Sequence, residues 1–255
     1  MPELIHLLER TLVIEATRTI VFRFFTDPGR WAAWWGAGSA IDPRPGGRVL
    51  IRYPNGVQVL GEVLEIAEPE LIVFTYGYES GKPIPPGSSR VTIRLEAVES
   101  GTRLHLAHAF ADADARDQHL PGWRFQLSLF ANLVADEVNA GAPDLADAWF
   151  ATWSMSDGGE RARALEAIAA PEVRFRDRYA RIDGMAELND HIAASLRFMP
   201  GIRMERKGTV RHCQHTLLAD WVARGPDGAE RVSGINVFVL NAQGRIVSVT
   251  GFRNQ

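Results

Sequence analysis

The segment that ends at Asp177 carries the residue in this sequence that is best suited to chemistry. Val173, Phe175 and Asp177 fall on one face of a predicted strand, because side chains alternate with a period of two, and the first two are apolar. A carboxylate on an apolar face can serve as a general base, since an unpaired carboxylate that loses hydration holds its proton more tightly. The alternative is structural: Asp177 caps a helix or loop, or pairs with an arginine of segment 174–181.

A histidine takes a comparable place in the first half of the chain. His108 shares the apolar face of a predicted strand over 102–110 with Leu106 and Phe110. It is either a ligand contact or a core histidine whose hydrogen bonds are made to protein. Tryptophans offer the other candidate contacts, although such rings are also ordinary core or pocket-wall residues. The predicted ligand-binding residues are Trp34, Trp35, His108, Trp123, Trp153 and Trp221.

No metal or cofactor site is predicted. His191, His212, His215 and Asp220 have no spacing typical of a ligand set. Cys213 is the one cysteine, which excludes an internal disulfide and a cysteine-based metal site.

Two sets of elements must position these residues. The first set begins with a strand over 11–16 and a helix over 17–25, followed by five strand-like runs separated by turn sequences. An amphipathic helix over 122–137 closes it, with His119 expected in an exposed loop just before. A curved sheet packed on one long helix leaves a space that side chains or a ligand must fill.

The second set follows a short Gly/Ala/Pro stretch. Helices over 144–156 and 157–168, the second capped by Asp157, precede a short strand, a helix over 185–198 and four long strands. Helices followed by antiparallel strands predict an α+β cone. The sequence therefore predicts two α+β domains, 1–138 and 144–255, joined by a linker over 139–143.

Composition narrows the choice of partners. The 255 residues carry a net charge of −3, without the basic excess that binding to nucleic acid needs. The first residues lack the features of a signal peptide, and no apolar run reaches the roughly 18 residues of a membrane span. We expect a cytoplasmic protein that binds a small apolar or polycyclic ligand, with neither nucleic acid nor membrane as a partner.

Residues 8–138 resemble the START-related SRPBCC superfamily, in the branch named after an activator of a heat-shock chaperone ATPase. The motifs that carry the resemblance are Phe25-Thr26-Asp27-Pro28, Trp34-Trp35, Asp42 with Pro45-Gly46-Gly47, Leu106-Ala107-His108-Ala109-Phe110 and His119-Leu120-Pro121-Gly122-Trp123. The resemblance implies a helix-grip fold with a deep pocket. Most members of this branch have no assigned reaction.

Residues 144–255 resemble the SnoaL-like branch of the nuclear-transport-factor-two-like superfamily. The resemblance rests on three segments and Trp221: 170–177, Ile182-Asp183-Gly184, and the run 236–246. It implies a cone-shaped α+β barrel whose relatives include ketosteroid isomerases, polyketide cyclases, dehydratases and non-catalytic binding proteins. Relatives of this type also dimerise through the outer face of the sheet, which implies a homodimer through the C-terminal domain.

The isomerase relatives place an aspartate at the position of Asp177, where it moves a proton beside a carbonyl. They stabilise the enolate oxygen with a tyrosine and a protonated acid. In this sequence Asn236 takes the place of the acid, and the first helix of the domain has no tyrosine. The resemblance thus implies Asp177 and Asn236 as catalytic candidates, in a cyclase, a dehydratase or a site that only orients a ligand rather than in a steroid isomerase.

Three functions remain open at this point. The first is binding of small apolar ligands in two cavities, without a reaction. The second is proton transfer in the C-terminal domain through Asp177. The third is a co-chaperone-like interaction module, which would show a large exposed apolar patch instead of a pocket.

Overall fold

Two separate sheets organise the chain in this computed structural model, which describes residues 3–254. The chain divides between Ala135 and Asp136 into two units, each with its own sheet. Among the described residues, no helix is long and apolar enough to cross a membrane.

The N-terminal unit is an antiparallel sheet with three helices. Its elements are β1 (His6–Ile14), α1 (Arg18–Thr26), α2 (Pro28–Trp35), β2 (Ala40–Ile41), β3 (Arg48–Arg52), β4 (Gln58–Ala67), β5 (Leu71–Tyr76), β6 (Ser89–Val98), β7 (Gly101–Phe110) and α3 (Ala113–Val138). The strand order is β1-β7-β6-β5-β4-β3-β2, with antiparallel pairing between all neighbours. The alternation of buried and exposed residues along these strands confirms the period-two pattern.

Helix α3 is longer than the sequence predicted. It begins at Ala113, where the Asp112 carboxylate accepts hydrogen bonds from the backbone N–H groups of Asp114 and Ala115, both at 3.2 Å. Pro121 lies inside the helix and removes only one backbone donor, so the turns on either side persist. The expected exposed loop around His119 was therefore wrong: His119 lies in α3 and is only 6% exposed.

The C-terminal unit combines three helices with a mixed sheet. Its elements are α4 (Ala142–Thr152), α5 (Gly158–Ile168), β8 (Ala169–Arg176), β9 (Arg181–Asp183), α6 (Met185–Phe198), β10 (Arg203–Cys213), β11 (Thr216–Arg224), β12 (Glu230–Leu240) and β13 (Ile246–Arg253). The strand order is β10-β11-β12-β13-β8-β9, and the β13–β8 pair alone among these neighbours is parallel. Asp157 caps α5 as predicted, because its side chain accepts from the backbone N–H of Glu160 at 2.7 Å.

The core of the C-terminal unit is aromatic where α4 meets the sheet. Trp149 and Phe150 of α4 pack against Phe238 of β12, with ring centroids 5.8 and 6.2 Å apart, and Trp149 also contacts Phe175 of β8. These contacts fix the helix over the inner face of the sheet. Helix α4 begins at Ala142, two residues before the predicted start of the second domain. The boundaries at 138 and 144 stay a prediction.

Candidate functional site

Two neighbouring rows of residues cross the inner face of the C-terminal sheet. The strand register aligns a first row, fully buried and apolar, of Leu217, Phe238, Val249 and Phe175. At the next inward-facing position of each strand, two residues away, the same face carries a second row of Ala219, Asn236, Gly251 and Asp177. The inner face thus changes from apolar to polar within one step of the strand period, which places Asp177 and Asn236 at the end of the core.

Asp177 follows the last residue of β8 and starts a tight turn. Its Oδ1 accepts the backbone N–H groups of Tyr179 and Ala180, each at 2.7 Å, and its own N–H donates to the Ala180 carbonyl at 3.0 Å. The residue is half-buried, and Oδ2 has no hydrogen-bond partner within residues 3–254. One carboxylate oxygen therefore holds the turn, as the structural interpretation predicts, while the other stays open to a ligand.

Asn236 approaches Asp177 across a glycine. A Cβ placed on Gly251 would lie 3.2 Å from Asn236 Oδ1 and 3.4 Å from Asp177 Cβ, so the missing side chain leaves the gap between them. Asn236 is only 4% exposed, and its side-chain amide has no hydrogen-bond partner among the described residues. The amide faces the gap that Gly251 leaves, so its donor and acceptor are available to a ligand placed there.

Three indole groups of the C-terminal unit share this lack of partners. Trp153 packs on Phe175 and His191, with ring centroids 5.3 and 5.9 Å away. Trp221 lies over Gly234, where a Cβ would come within 2.5 Å of its ring. The Nε1–H groups of Trp149, Trp153 and Trp221 are buried, and none has an acceptor within the described part of the chain. The sequence named Trp153 and Trp221 but did not show that their donors are unpaired.

A cleft of about 610 Å³ opens beside Asp177, where β13 continues beyond the end of β8. Its lining combines the turn after β8 with the end of β13 and includes three arginines: Arg176, Arg178 and Arg253. Asn236, Trp153 and Trp221 do not line it. The expected apolar surroundings of Asp177 are thus present on the side of Phe175. On the side of the cleft the expectation was wrong, because β8 ends at Arg176 and arginines surround the opening.

His108 in the N-terminal unit is held by protein partners on both ring nitrogens. The Trp123 indole N–H donates to His108 Nδ1 at 2.9 Å, which leaves Nε2 to donate to Ser89 Oγ at 2.8 Å. Ser89 Oγ in turn donates to the Tyr76 carbonyl at 2.7 Å. Burial, followed by the proximity of His119, holds the pKa of His108 well below its usual value. A ligand would have to displace one of these partners to bind the ring.

A hydrogen-bonded chain of tyrosines, which the sequence did not predict, ends at His119. His119 Nδ1 must donate to the Ala115 carbonyl, 2.6 Å away, so its Nε2 accepts from the Tyr78 hydroxyl at 3.3 Å. Tyr76 donates to Tyr78 at 3.5 Å, and Tyr53 lies 3.0 Å from Tyr76. Burial raises the pKa of Tyr53 and Tyr76 and lowers that of His119. The four side chains therefore satisfy one another by hydrogen bonds.

A second cavity, of about 470 Å³, lies beside this chain. It lies between α2, the β3–β4 turn and α3, and its aromatic lining consists of Trp34, Trp35, Tyr53, Tyr78 and Phe125. The Trp35 Nε1–H is buried without a partner in the described structure, whereas the Trp34 indole donates to the Phe24 carbonyl at 3.2 Å. Of the predicted contacts, Trp34 and Trp35 line the cavity, while His108 and Trp123 do not.

Each half of the chain is therefore an α+β domain with a cavity or cleft of its own. Residues 15–135 match the family model described as "Activator of Hsp90 ATPase homolog 1-like protein", and residues 146–249 match the one described as "SnoaL-like domain". The chain joins an N-terminal START-related SRPBCC domain of this activator-like branch to a C-terminal SnoaL-like domain, which confirms both predicted folds.

Several solved structures are similar to parts of the chain. A SnoaL-like family protein from Agrobacterium tumefaciens strain C58 is 27% identical, covers 44% of this chain and 96% of its own, and has a TM-score of 0.43. CalU16 from Micromonospora echinospora is 25% identical over 50% of this chain and 72% of its own, with a TM-score of 0.41. CV1439 from Chromobacterium violaceum is 25% identical over 51% and 96%, with a TM-score of 0.43. The search of curated proteins returned no match.

Proposed function

We propose that this protein binds small apolar ligands in two separate cavities, one in each domain. The observation that carries the proposal is the set of polar groups without protein partners in the C-terminal domain: the Asn236 amide, Asp177 Oδ2 and three indole N–H groups. Folded proteins satisfy nearly all buried polar groups, so three buried indole donors without acceptors among the described residues of one domain favour a ligand there.

The chemistry of these groups favours a ligand with an acceptor oxygen. The indole N–H groups are donors only, and the Asn236 amide can donate as well, so a carbonyl or ether oxygen would satisfy them. The first row below them is apolar and suits a ring system. In the N-terminal cavity, aromatic walls and the unpaired indole N–H of Trp35 favour a similar but less polar compound.

The test is to count the sites with Nile red, a neutral polycyclic carbonyl compound, by fluorescence titration. Gly122 lines the N-terminal cavity, and a Cβ on it would have no atom within 4 Å, so Gly122→Leu puts a side chain into that cavity and replaces a helix glycine. Gly251→Ala puts a methyl group into the gap between Asn236 and Asp177. We expect two sites in the parent protein and the loss or weakening of one site in each variant. Unchanged binding in both variants would overturn the proposal.

Proton transfer in the C-terminal domain is the second candidate, and the open Oδ2 of Asp177 favours it. Oδ2 would take a proton from the carbon next to a bound carbonyl; the electron pair of the broken C–H bond forms the enolate, and Asn236 donates to its oxygen. Return of the proton from Oδ2 to carbon completes the reaction. The hydrogen bonds to Oδ1 keep the carboxylate oriented for both steps.

The measurement for this candidate is deuterium exchange at the carbons next to the carbonyl of 2-tetralone, followed by NMR in D₂O. We expect exchange above the buffer rate, abolished by Asp177→Asn and retained by Glu172→Gln, a carboxylate-to-amide change on an exposed position of β8. Exchange that persists in Asp177→Asn would remove Asp177 from the reaction.

We also propose that the protein forms a homodimer through the outer face of the C-terminal sheet. The register places Leu218, Val237 and Thr250 in one outer row and Ile235 with Phe252 in the next, and Phe252 is 56% exposed. These apolar residues stand between charged ones, Arg211 and Asp220 on one side and Arg176 on the other, and a second copy would bury the apolar centre. Light scattering at micromolar concentration should give a dimer that Val237→Arg converts to a monomer, and a monomeric parent protein would contradict the proposal.

A further inference from the structure

We infer that the ligand of the C-terminal cleft carries a carboxylate, which the arginines around Asp177 bind. The inference rests on the proposed ligand site at Asp177 and Asn236 and adds its substrate class: an apolar ring compound with one carboxylate, rather than a neutral compound. The observations behind it are the form of the cleft, the charge of its lining and the position of Arg253.

The cleft exists because two parallel strands end at different places. The last pair between β8 and β13 joins Arg176 and Thr250, after which β8 stops and the chain turns at Asp177–Ala180. Strand β13 continues for three more residues, from Gly251 to Arg253, along the edge that β8 has left. The opening is therefore bounded by backbone on both sides and leads from solvent to the second row.

The lining of the cleft is basic. Arg176, Arg178 and Arg253 stand against one carboxylate, that of Asp177, so the formal balance is positive. None of these three guanidinium groups forms an ion pair with a carboxylate in the structure of residues 3–254. A guanidinium group without a carboxylate partner is the group that binds a ligand carboxylate in a two-point hydrogen-bonded pair.

Arginines on the far side of the same sheet behave differently. Arg206 pairs with Asp147 at 2.8 Å, Arg211 with Asp220 at 3.3 Å and Arg224 with Glu205 at 3.4 Å. Three arginines of β10 and β11 are thus neutralised by a neighbouring carboxylate, whereas within the described residues the three arginines of the cleft are not. The difference lies in the local supply of carboxylates, since the lining of the cleft contributes only Asp177.

Arg253 is the guanidinium best placed to orient a ligand. It lies on the same face of β13 as Gly251, two residues beyond it, and Gly234 is its partner across the sheet. Arg253 Nη1 donates to the Tyr179 hydroxyl at 3.4 Å, which holds the side chain toward the turn that Asp177 starts. Two residues of a strand span about 7 Å, roughly the length of one aromatic ring.

This geometry sets the direction in which the ligand binds. A carboxylate beside Asp177 would be repelled, so the ligand carboxylate binds Arg253 at the mouth. The apolar body then extends by about 7 Å to the gap at Gly251, where its acceptor oxygen meets Asn236. Arg176 and Arg178 add positive charge around the opening and attract the anion from solution.

The experiment compares the dissociation constants of 2-naphthoate and 2-naphthamide by isothermal titration calorimetry at low salt. The two compounds have nearly the same shape and differ in charge. We expect 2-naphthoate to bind at least about tenfold more tightly, because a charge-assisted hydrogen bond replaces a neutral one. Arg253→Gln should remove this preference, and Arg178→Gln should reduce it. Arg224→Gln, which removes an arginine that already pairs with Glu205 on the same sheet, is the matched control and should keep it.

Each outcome of this experiment has a distinct meaning. Equal binding of acid and amide to the parent protein would overturn the carboxylate inference and leave the ligand site intact. A preference for 2-naphthoate that persists in Arg253→Gln would likewise overturn the inference and leave the ligand site intact. Binding of neither compound would count against both the inference and the proposed site. Arg253 and Arg178 are exposed, so both variants should fold, and the melting temperature of each checks this.

Discussion

The polar groups at the two candidate sites differ in how far protein partners satisfy them, although the Trp35 indole of the N-terminal domain is also unpaired among the described residues. In the N-terminal domain His108, His119, Ser89 and the three tyrosines of the chain hydrogen bond to one another or to backbone. In the C-terminal domain the Asn236 amide, Asp177 Oδ2 and three indole N–H groups have no partner among the described residues. Both domains have a cavity or cleft. The polar groups named in the N-terminal domain bind one another, whereas those named in the C-terminal domain are free to bind a ligand.

This difference separates stability from ligand recognition. A satisfied polar network stabilises one arrangement of a core, and the loss of any member leaves another buried group without a partner. An unsatisfied group costs stability until a ligand binds to it. We therefore expect polar substitutions to act on folding in the N-terminal domain and on binding in the C-terminal domain.

His108→Leu should have the largest effect on folding. It removes the acceptor of the Trp123 indole and the donor to Ser89, both buried. Each group left without its partner costs about 1–3 kcal/mol, so we expect the free energy of unfolding to fall by about 2–6 kcal/mol. Urea unfolding followed by circular dichroism measures this change.

The matched control is His105→Leu, the same substitution on the other face of β7. His105 hydrogen bonds to Thr11 at 3.0 Å at the surface, where such a contact contributes less than about 1 kcal/mol. If the two variants lost similar stability, the buried network would not have the role assigned to it.

Acid should destabilise the N-terminal domain next most strongly. The pKa values of His108 and His119 are both lowered, chiefly by burial, so the folded protein stays unprotonated where the unfolded chain, with a pKa near 6.5, takes up protons. The stability is complete above about pH 6.5 and is lost as the pH falls toward the folded pKa values. Each such histidine contributes a slope of up to about 1.4 kcal/mol per pH unit.

Urea unfolding at pH 7 and pH 5.5 measures that slope. His119→Gln should reduce it, since one of the two buried histidines is gone, whereas Asn236→Leu in the other domain should leave it unchanged. An equal slope in the parent protein and in His119→Gln would contradict the assignment of the acid sensitivity to this pair.

The sequence predicted the folds and the inner faces better than it predicted the surroundings of the candidate residues. The period of two places His108 on a buried face, and the motifs identified both families. The sequence could not show that β8 ends one residue before Asp177. Arg253 lies beside the turn of Tyr179 only because β13 pairs in parallel with β8, and no local pattern encodes that register.

Helix α3 and the indoles show the same limit. Pro121 and Gly122 are strong local signals for a helix boundary, yet the packing of α3 retains both within one helix. The indole of Trp123 finds an acceptor and that of Trp221 does not, which depends on residues far away in the chain. Residue types and spacing predict which groups face inward, and tertiary contacts decide which of those groups remain open.

Asn236→Leu should have the smallest effect on stability and so gives the most direct test of the comparison. Leucine has nearly the shape of asparagine, and no protein hydrogen bond to the side chain is lost within the described structure. Leucine also buries more apolar surface than asparagine at this position, so we expect the free energy of unfolding to stay the same or rise by about 1 kcal/mol. Nile red should nevertheless bind less tightly, because its carbonyl oxygen loses the Asn236 donor. A loss of more than about 2 kcal/mol in urea unfolding, with binding unchanged, would make Asn236 a structural residue like His108 and would remove the contrast between the two domains.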